Sequence, residues 1–301
     1  MKKTMIAMAV AGVVAAPVAM ADVTIGGEMR YAVKAVDAGG DEDTTFDDAG
    51  SIMFVKGAED LGNGMKASFF VKLTGIGAGS ANTADSWVNL AGDFGSVKMG
   101  TFPTPTKTVN RMAETQVFTP ASSDSAFAHT STVDEMIAYT SPSMNGMTLT
   151  AAVIGKSEDA ASADVEIDST ATNIKLAYAN GPLSIAVAQL DLDGTGEDTT
   201  SFGIKYNMGD ITLAMSQEDT DNSKDDTTLV SATYKMGNNV FAIQDVSGDV
   251  DGLDTATSAD FEATTYAVTH SMSKRTRVYA QIKDYDNADK DAVILGLKHK
   301  F

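Results

Sequence analysis

The run S-F-G-I-K-Y-N at residues 201–207, followed by Gly209-Asp210, decides the fold class of the chain. Its even-numbered positions are aromatic or aliphatic and its odd-numbered positions are small or polar. This period of two is typical of a β-strand with one apolar face. Glycine and aspartate then supply the chemistry of a tight turn. The stretch therefore predicts one arm of an antiparallel hairpin.

The same alternation recurs along the chain from Asp22 onward, and no stretch shows convincing helical spacing. Short turns separate some of the runs, at 60–64, 93–95, 144–146, 180–182, 209–210, 237–239 and 273–276. Longer polar loops separate the others, at 37–49, 75–85, 102–133, 157–171, 192–198, 219–226, 248–262 and 286–290. Fifteen connections of alternating length predict sixteen strands in an up-and-down barrel, which places short turns on one rim and long loops on the other.

Composition excludes several classes of protein. The 41 acidic and 22 basic side chains give a net charge of -19, which argues against nucleic-acid binding. The absence of cysteine excludes disulfide scaffolds and cysteine chemistry. No apolar run is long enough for a membrane-spanning helix, while 43% hydrophobic residues are too many for a disordered acidic chain.

The first 21 residues have the order of a secretory signal peptide. Lys2 and Lys3 precede an apolar run from Met5 to Val18, and a small-residue cleavage site follows at residues 19–21. We therefore expect residues 1–21 to be removed and residues 22–301 to form one domain with a net charge of -21.

Most lysines fall on the polar face of the predicted strands, and most carboxylates fall in the loops. In a soluble sandwich those lysines would face solvent. In a membrane barrel the apolar face would meet lipid and the lysines would line a wet interior. The polar face alone leaves both architectures open.

Several motifs then resemble the trimeric general porins of Gram-negative outer membranes, and the likeness spans the whole mature chain. The stretches at 57–67 and 92–100 resemble the first and second periplasmic turns of that family. Residues 139–146 are similar to the turn after its constriction loop, and residues 273–279 to its last turn. The ending at residues 296–301, with the terminal Phe301, resembles the assembly signal of outer-membrane barrels.

The resemblance implies a 16-stranded antiparallel transmembrane up-and-down β-barrel with short periplasmic turns and long extracellular loops. It implies a homotrimer in the outer membrane of a Gram-negative bacterium, in contact with lipid, lipopolysaccharide and the barrel-assembly machinery. Each subunit would pass ions and small hydrophilic solutes by passive diffusion through a water-filled pore. The loop at about 102–133 would fold inward and constrict that pore. The implied constriction residues are Lys107, Arg111, Glu114 and Asp124, and the implied pore-wall residues are Arg30, Lys34, Lys56, Lys72 and Lys98.

The sequence departs from the family at three wall positions where arginine is common. These positions carry Ile52, Thr101 and Thr132. A weaker basic wall combined with acidic loops should raise the cation concentration at the mouth, so we expect weak cation selectivity.

Enzymatic chemistry has no sequence support. The three histidines form no nucleophile, base and acid constellation, and neither a phosphate-binding nor a dinucleotide motif follows a strand. We therefore expect no enzyme activity, no cofactor and no metal site.

Two other functions remain open from the sequence. One is a non-conducting surface or secreted acidic β-protein, such as an adhesin or a divalent-cation binder. The other is a substrate-specific outer-membrane channel with a row of aromatic side chains inside the pore. Only Phe70 and Tyr279 are predicted on polar faces, which counts against the second alternative.

Overall fold

The computed structural model describes residues 22–37, 42–79, 81–115, 127, 132–155, 171–192, 198–221, 226–248, 261–285 and 291–301. The predicted signal peptide lies outside this part of the chain. Within it, strands account for almost all of the regular structure, as the alternating pattern predicted.

The described strands form one antiparallel sheet. In chain order they are β1 (Asp22–Asp37), β2 (Glu42–Asp48), β3 (Ile52–Gly62), β4 (Met65–Thr74), β5 (Asn82–Gly92), β6 (Gly95–Pro103), β7 (Thr132–Thr140), β8 (Met147–Ile154), β9 (Ala171–Asn180), β10 (Leu183–Leu192), β11 (Thr199–Met208), β12 (Ile211–Thr220), β13 (Thr227–Met236), β14 (Asn239–Gly248), β15 (Phe261–Ser271), β16 (Thr276–Tyr285) and β17 (Ala292–Lys300). A 3-10 turn covers Ile76–Ala78, and helix α1 covers Pro105–Asn110.

The seventeen segments occupy sixteen positions around a closed barrel. The first half of β1 pairs with β3, from Asp22 opposite Ala58 to Glu28 opposite Ile52. Its second half pairs with β2, so β2 and β3 are two parts of one barrel strand that is interrupted at residues 49–51. The barrel closes because β1 also pairs with β17. The predicted sixteen-stranded barrel is confirmed.

Short and long connections alternate along the described strands, as the sequence predicted. Five hairpins, such as β3–β4 and β5–β6, have two-residue turns, whereas four residues join β15 to β16 and six join β7 to β8. At the other rim the connections have six residues or more, except between β1 and β2. The first long loop departs most from its predicted bounds of 37–49, because residues 42–48 continue the pairing with β1 as a strand. Its acidic residues indicated a solvated loop, but backbone pairing along β1 outweighs that local preference.

The two faces of the sheet differ in the way that the run at 201–207 predicts. Ser201 and Gly203 are buried on the inner face, while Phe202 is 38% exposed on the outer face. The same holds on β9, where Ile174 and Leu176 are 53% and 47% exposed. Because such an apolar band is unfavourable in water, the outer face is suited to a hydrocarbon environment.

No helix in the described part of the chain is long and apolar enough to span a membrane.

Candidate functional site in the barrel interior

Helix α1 begins the longest connection, between β6 and β7, and local sequence explains why it forms. The Thr104 hydroxyl accepts a hydrogen bond from the Lys107 backbone N–H at 3.1 Å, and Pro105 occupies the first helical turn. Both are favoured at a helix start, because the side chain satisfies a free N–H and proline has none to satisfy. Helix α1 was not predicted, because its six residues make less than two turns and show no helical spacing in the sequence.

Polar side chains of the inner wall hold α1 in place. Asn173 on β9 accepts from the Thr106 N–H at 2.9 Å, and its amide donates to the Thr106 hydroxyl and to the Gln189 carbonyl, each at 2.7 Å. The Asn110 amide donates to a Glu218 carboxylate oxygen on β12 at 2.5 Å. Asn173, Thr106, Asn110 and Glu218 are fully buried. No local sequence pattern predicts these contacts, because the four residues come from three separate elements.

The residues after α1 follow the wall towards β13. Ser216 on β12 accepts from the Ala113 N–H at 3.0 Å, and Ser231 on β13 donates to the Ala113 carbonyl at 2.5 Å. Beside them, a Cβ at Gly203 would lie 2.7 Å from the Met112 sulfur. Glycine at position 203 thus lets the chain lie directly on β11. Together these contacts place residues 104–115 inside the barrel, against β9–β13.

The predicted constriction residues lie on or near this segment, except Asp124, which is outside the described residues. Lys107 is half-buried on α1. Arg111 and Glu114 form an ion pair, with the guanidinium Nε 2.9 Å from a carboxylate oxygen. Glu114 also borders a cavity of about 540 Å³ that Lys205, Lys235 and Arg277 help to line. The described acidic member of the loop therefore lies near basic residues of β11, β13 and β16, which were not among the predicted wall residues.

Two of the predicted wall residues lie near the seam where β1 meets β17. Arg30 forms an ion pair with the buried Glu28, and Lys298 Nζ lies 2.9 Å from the same carboxylate. Lys300 Nζ is 3.8 Å from its other oxygen. Lys34 lies on the inner face further along β1, opposite Ile294, and is exposed. One carboxylate is thus shared by three cations.

The other three predicted wall residues lie among aromatic rings on β3–β6. Lys72 forms an ion pair with Asp85 at 2.8 Å. Lys56 Nζ lies 5.6 Å from the centre of the Phe54 ring, and Lys98 Nζ lies 4.5 Å from that of Trp87.

The prediction that only Phe70 and Tyr279 lie on polar faces is therefore wrong. Phe54, Trp87 and Phe102 also lie on the inner face, as their contacts with Phe70 and Lys98 show. Sequence alternation missed Phe54 and Trp87 because each stands next to another apolar residue, so its face was ambiguous. It missed Phe102 because the predicted loop begins at residue 102, whereas β6 continues to Pro103.

The inner face carries more basic than acidic side chains in the described strands. Its basic residues, identified from the pairing register, are Arg30, Lys34, Lys56, Lys66, Lys72, Lys98, Lys175, Lys205, Lys235, Arg277, Lys283, Lys298 and Lys300. Its acidic residues are Asp22, Glu28, Asp43, Asp47, Asp60, Asp85 and Glu218, of which Asp22, Asp43, Asp47 and Asp60 lie near strand ends. The polar-face lysines of the sequence thus line the interior.

Among the described residues no group of three or more histidine, aspartate or glutamate side chains is placed to hold a metal ion. The interior is a charged, partly aromatic wall, and residues 104–115 are hydrogen-bonded to one side of it. It can select solutes by size and charge.

Comparison with known proteins agrees with this architecture. The sequence model of a family described as Gram-negative porin matches residues 6–290. The major outer membrane protein P.IB of Neisseria meningitidis serogroup B is 36% identical over 113 residues, which cover 33% of this chain and 33% of that protein. The same protein of Neisseria gonorrhoeae is 34% identical over 120 residues, covering 36% and 34% respectively. The alignments span about a third of the length of these curated relatives.

Solved structures show the same fold at low sequence identity. An anion-selective porin from Comamonas acidovorans has a TM-score of 0.68 at 22% identity, covering 93% of this chain and 100% of that one. Salmonella typhi OmpF in complex with daunomycin has a TM-score of 0.75 at 16% identity, covering 93% and 97%. OmpT of Vibrio cholerae in its trimer form has a TM-score of 0.66 at 15% identity, covering 93% and 99%.

Proposed function

Because the chain belongs to the Gram-negative porin family and is an outer-membrane protein rather than an enzyme, we propose that it forms a water-filled channel. Ions and small hydrophilic solutes would cross it by passive diffusion. The observation that carries this proposal is the division of the barrel into an apolar outer face and a charged inner face, with residues 104–115 bound to the inner face.

Size selection in this proposal belongs to the loop that begins with α1. Hydrogen bonds to Asn173, Ser216 and Ser231 hold residues 104–115 against one side of the barrel, where they would narrow the lumen. Lys107, Arg111, Glu114 and Asp124 would present charge from the loop. Arg30, Lys34, Lys56, Lys72 and Lys98 would present charge from the wall, to which we now add Lys175, Lys205 and Lys235.

Charge selection follows from two opposed contributions. Residues 22–301 have a net charge of -21, which comes largely from acidic loops and underlies the predicted weak cation preference. The basic excess of the wall favours anions at close range. Salt screens exposed charges beyond about 10 Å at 0.1 M and about 3 Å at 1 M. We therefore infer a weak cation preference at low salt that shifts towards anions at high salt.

Assembly forms a further part of the proposal. We propose a homotrimer embedded in outer-membrane lipid and lipopolysaccharide, as the resemblance to trimeric porins implies, and one Vibrio cholerae neighbour is a trimer form. Phe301 would serve as the signal read by the barrel-assembly machinery. Its backbone already pairs with Gly27, with N–H to carbonyl distances of 3.1 and 3.2 Å in the two directions. We also propose that residues 1–21 are removed on export.

The test is single-channel recording of the refolded chain from Asp22 onward in a planar bilayer under a salt gradient. Currents that rise in three equal steps would support a trimeric channel. The sign of the reversal potential shows whether cations or anions are preferred. The gradient should be applied at a mean salt of about 0.1 M and again at about 1 M. A folded, inserted protein without conductance would overturn the channel and favour a non-conducting surface protein. If the reversal potential is the same at both mean salt concentrations, the explanation of selectivity by opposed charges on loops and wall is overturned.

A further inference from the structure

Three aromatic side chains stand in one row on the inner wall, across β3, β4 and β5. We call Phe54, Phe70 and Trp87 the aromatic row. The Phe54 and Phe70 ring centres are 5.7 Å apart with planes inclined by 26°, and those of Phe70 and Trp87 are 5.6 Å apart with planes inclined by 23°. All three side chains are partly exposed. The row therefore presents an apolar strip to the lumen instead of a filled core.

Lysines alternate with these rings because of the strand register. Lys56 lies directly opposite Phe70, and Lys72 lies opposite Phe54. Opposite Trp87 stands Gly100, which has no side chain to cover the indole. Directly opposite residues in an antiparallel pair share one face, so rings and ammonium groups are interleaved on the same patch of wall.

The ammonium groups also lie over ring faces. Lys98 Nζ is 4.5 Å from the centre of the Trp87 ring and 5.1 Å from that of Phe102, and Lys56 Nζ is 5.6 Å from that of Phe54. Such contacts hold a cation over the negative face of an aromatic ring. Lys72 is neutralised by its ion pair with Asp85, so Lys56 and Lys98 leave the patch positively charged.

This combination indicates the chemistry of a ligand. The ring spacing of 5.6 to 5.7 Å leaves no gap into which a further ring could insert, so a ligand would lie across the row. A planar aromatic group would pack on the apolar strip, and an anionic group would reach Lys56 or Lys98. An aromatic cation is disfavoured because Lys56 and Lys98 lie over the Phe54 and Trp87 rings and would repel a second positive charge.

We propose that the aromatic row with Lys56 and Lys98 is a binding subsite for aromatic carboxylates inside the pore. This inference rests on the proposed channel function and names one class of solute that the channel binds during passage. Its role is to raise the local concentration of such solutes in the lumen. Binding must stay weak, since a solute that dissociates slowly would block the channel.

Trp87 gives a direct readout, because it is the single tryptophan of the chain. In folded, detergent-solubilised protein, 4-nitrobenzoate should quench its fluorescence saturably and at lower concentration than the neutral 4-nitrobenzyl alcohol. The Lys98→Gln variant should raise the apparent Kd of 4-nitrobenzoate about fivefold, as expected for the loss of about 1 kcal/mol. A matched control is Lys274→Gln, which removes a lysine from the exposed last turn and should leave the Kd unchanged.

The second readout is block of the single-channel current. Benzoate should reduce the current at lower concentration than cyclohexanecarboxylate, which has the same charge without the aromatic ring, or benzylammonium, which has the opposite charge. Trp87→Ala should weaken benzoate block about fivefold or more. Phe241→Ala, which removes a ring from the exposed outer face of β14, should not change it.

The two readouts separate the possible failures. Saturable quenching without any conductance would uphold the subsite and overturn the channel. Normal conductance with equal block by benzoate and cyclohexanecarboxylate, unaffected by Trp87→Ala, would overturn the subsite and leave the channel. Stronger block by benzylammonium than by benzoate would overturn the assignment of an anionic ligand.

Discussion

Replacing Asn173 with alanine should loosen the loop that begins with α1 while leaving the barrel intact. Asn173 is fully buried and makes three hydrogen bonds, two to Thr106 and one to the Gln189 carbonyl. Only the two bonds to Thr106 join α1 to the wall, so a net value of about 1 kcal/mol per bond weakens its attachment by about 2 kcal/mol. Since about 1.4 kcal/mol corresponds to tenfold, the fraction of molecules with α1 detached should rise about 30-fold.

Two assays would detect that change. Limited proteolysis of the folded protein in detergent should cut the loop faster, because cleavage follows the population of the detached state. Single-channel records should show more current flicker in the open state. The strands make the same pairings in the variant, so resistance of the barrel to heat should change little.

Asn180→Ala is the matched control. Asn180 lies on the same strand but is exposed near the turn, where its amide donates to the Tyr178 hydroxyl at 3.0 Å. The protease should cleave this variant at the same rate as the parent protein, and the open-state current should flicker to the same extent. If Asn173→Ala behaves like Asn180→Ala in both assays, Asn173 does not anchor the loop and the reasoning from its hydrogen bonds is refuted.

Three further substitutions have defined outcomes. Gly203→Ala would place a Cβ 2.7 Å from the Met112 sulfur, so we expect about 1 to 3 kcal/mol of strain and faster loop cleavage than in the parent protein. Phe301→Ala removes the ring that covers Gly27, which should lower the folded yield on refolding into micelles, as measured by heat-modified migration on gels. Glu28→Gln should shift the reversal potential towards anions, because three cations lose their shared carboxylate, and an unchanged potential would place this cluster outside the conducting path.

The architecture could be predicted because it depends on a short-range signal. Alternation along β9 or β11 sorts side chains onto two faces whatever the rest of the chain does, and Gly209-Asp210 specifies its own turn. The limits of this signal are seen at residues 42–48. There an acidic segment that reads as a loop becomes β2, because β1 extends far enough to pair with it.

The interior was predicted less completely because its contacts join distant residues. Asn173 and Thr106 are 67 positions apart, and Asn110 and Glu218 are 108 apart, so no local pattern relates them. Polar-face periodicity placed Lys56, Lys72 and Lys98 on one face of the sheet, and the resemblance to porins implied that this face is the pore wall. Periodicity could not assign Phe54 or Trp87 to a face, because aromatic residues occur on both faces of barrel strands.

The seam between β1 and β17 also bears on how the protein folds. Glu28 lies opposite Lys300, about 270 residues away along the chain, and this pairing completes the ring. Bringing such distant ends together costs about 3 kcal/mol more in chain entropy than closing a ten-residue hairpin, at about 0.6 kcal/mol per doubling of length. Non-local pairing of this kind is slow, and both edge strands stay open until it occurs. The ion pairs of Glu28 with Lys298 and Lys300 join those two edges, so they form only when the ring closes and stabilise that final pairing.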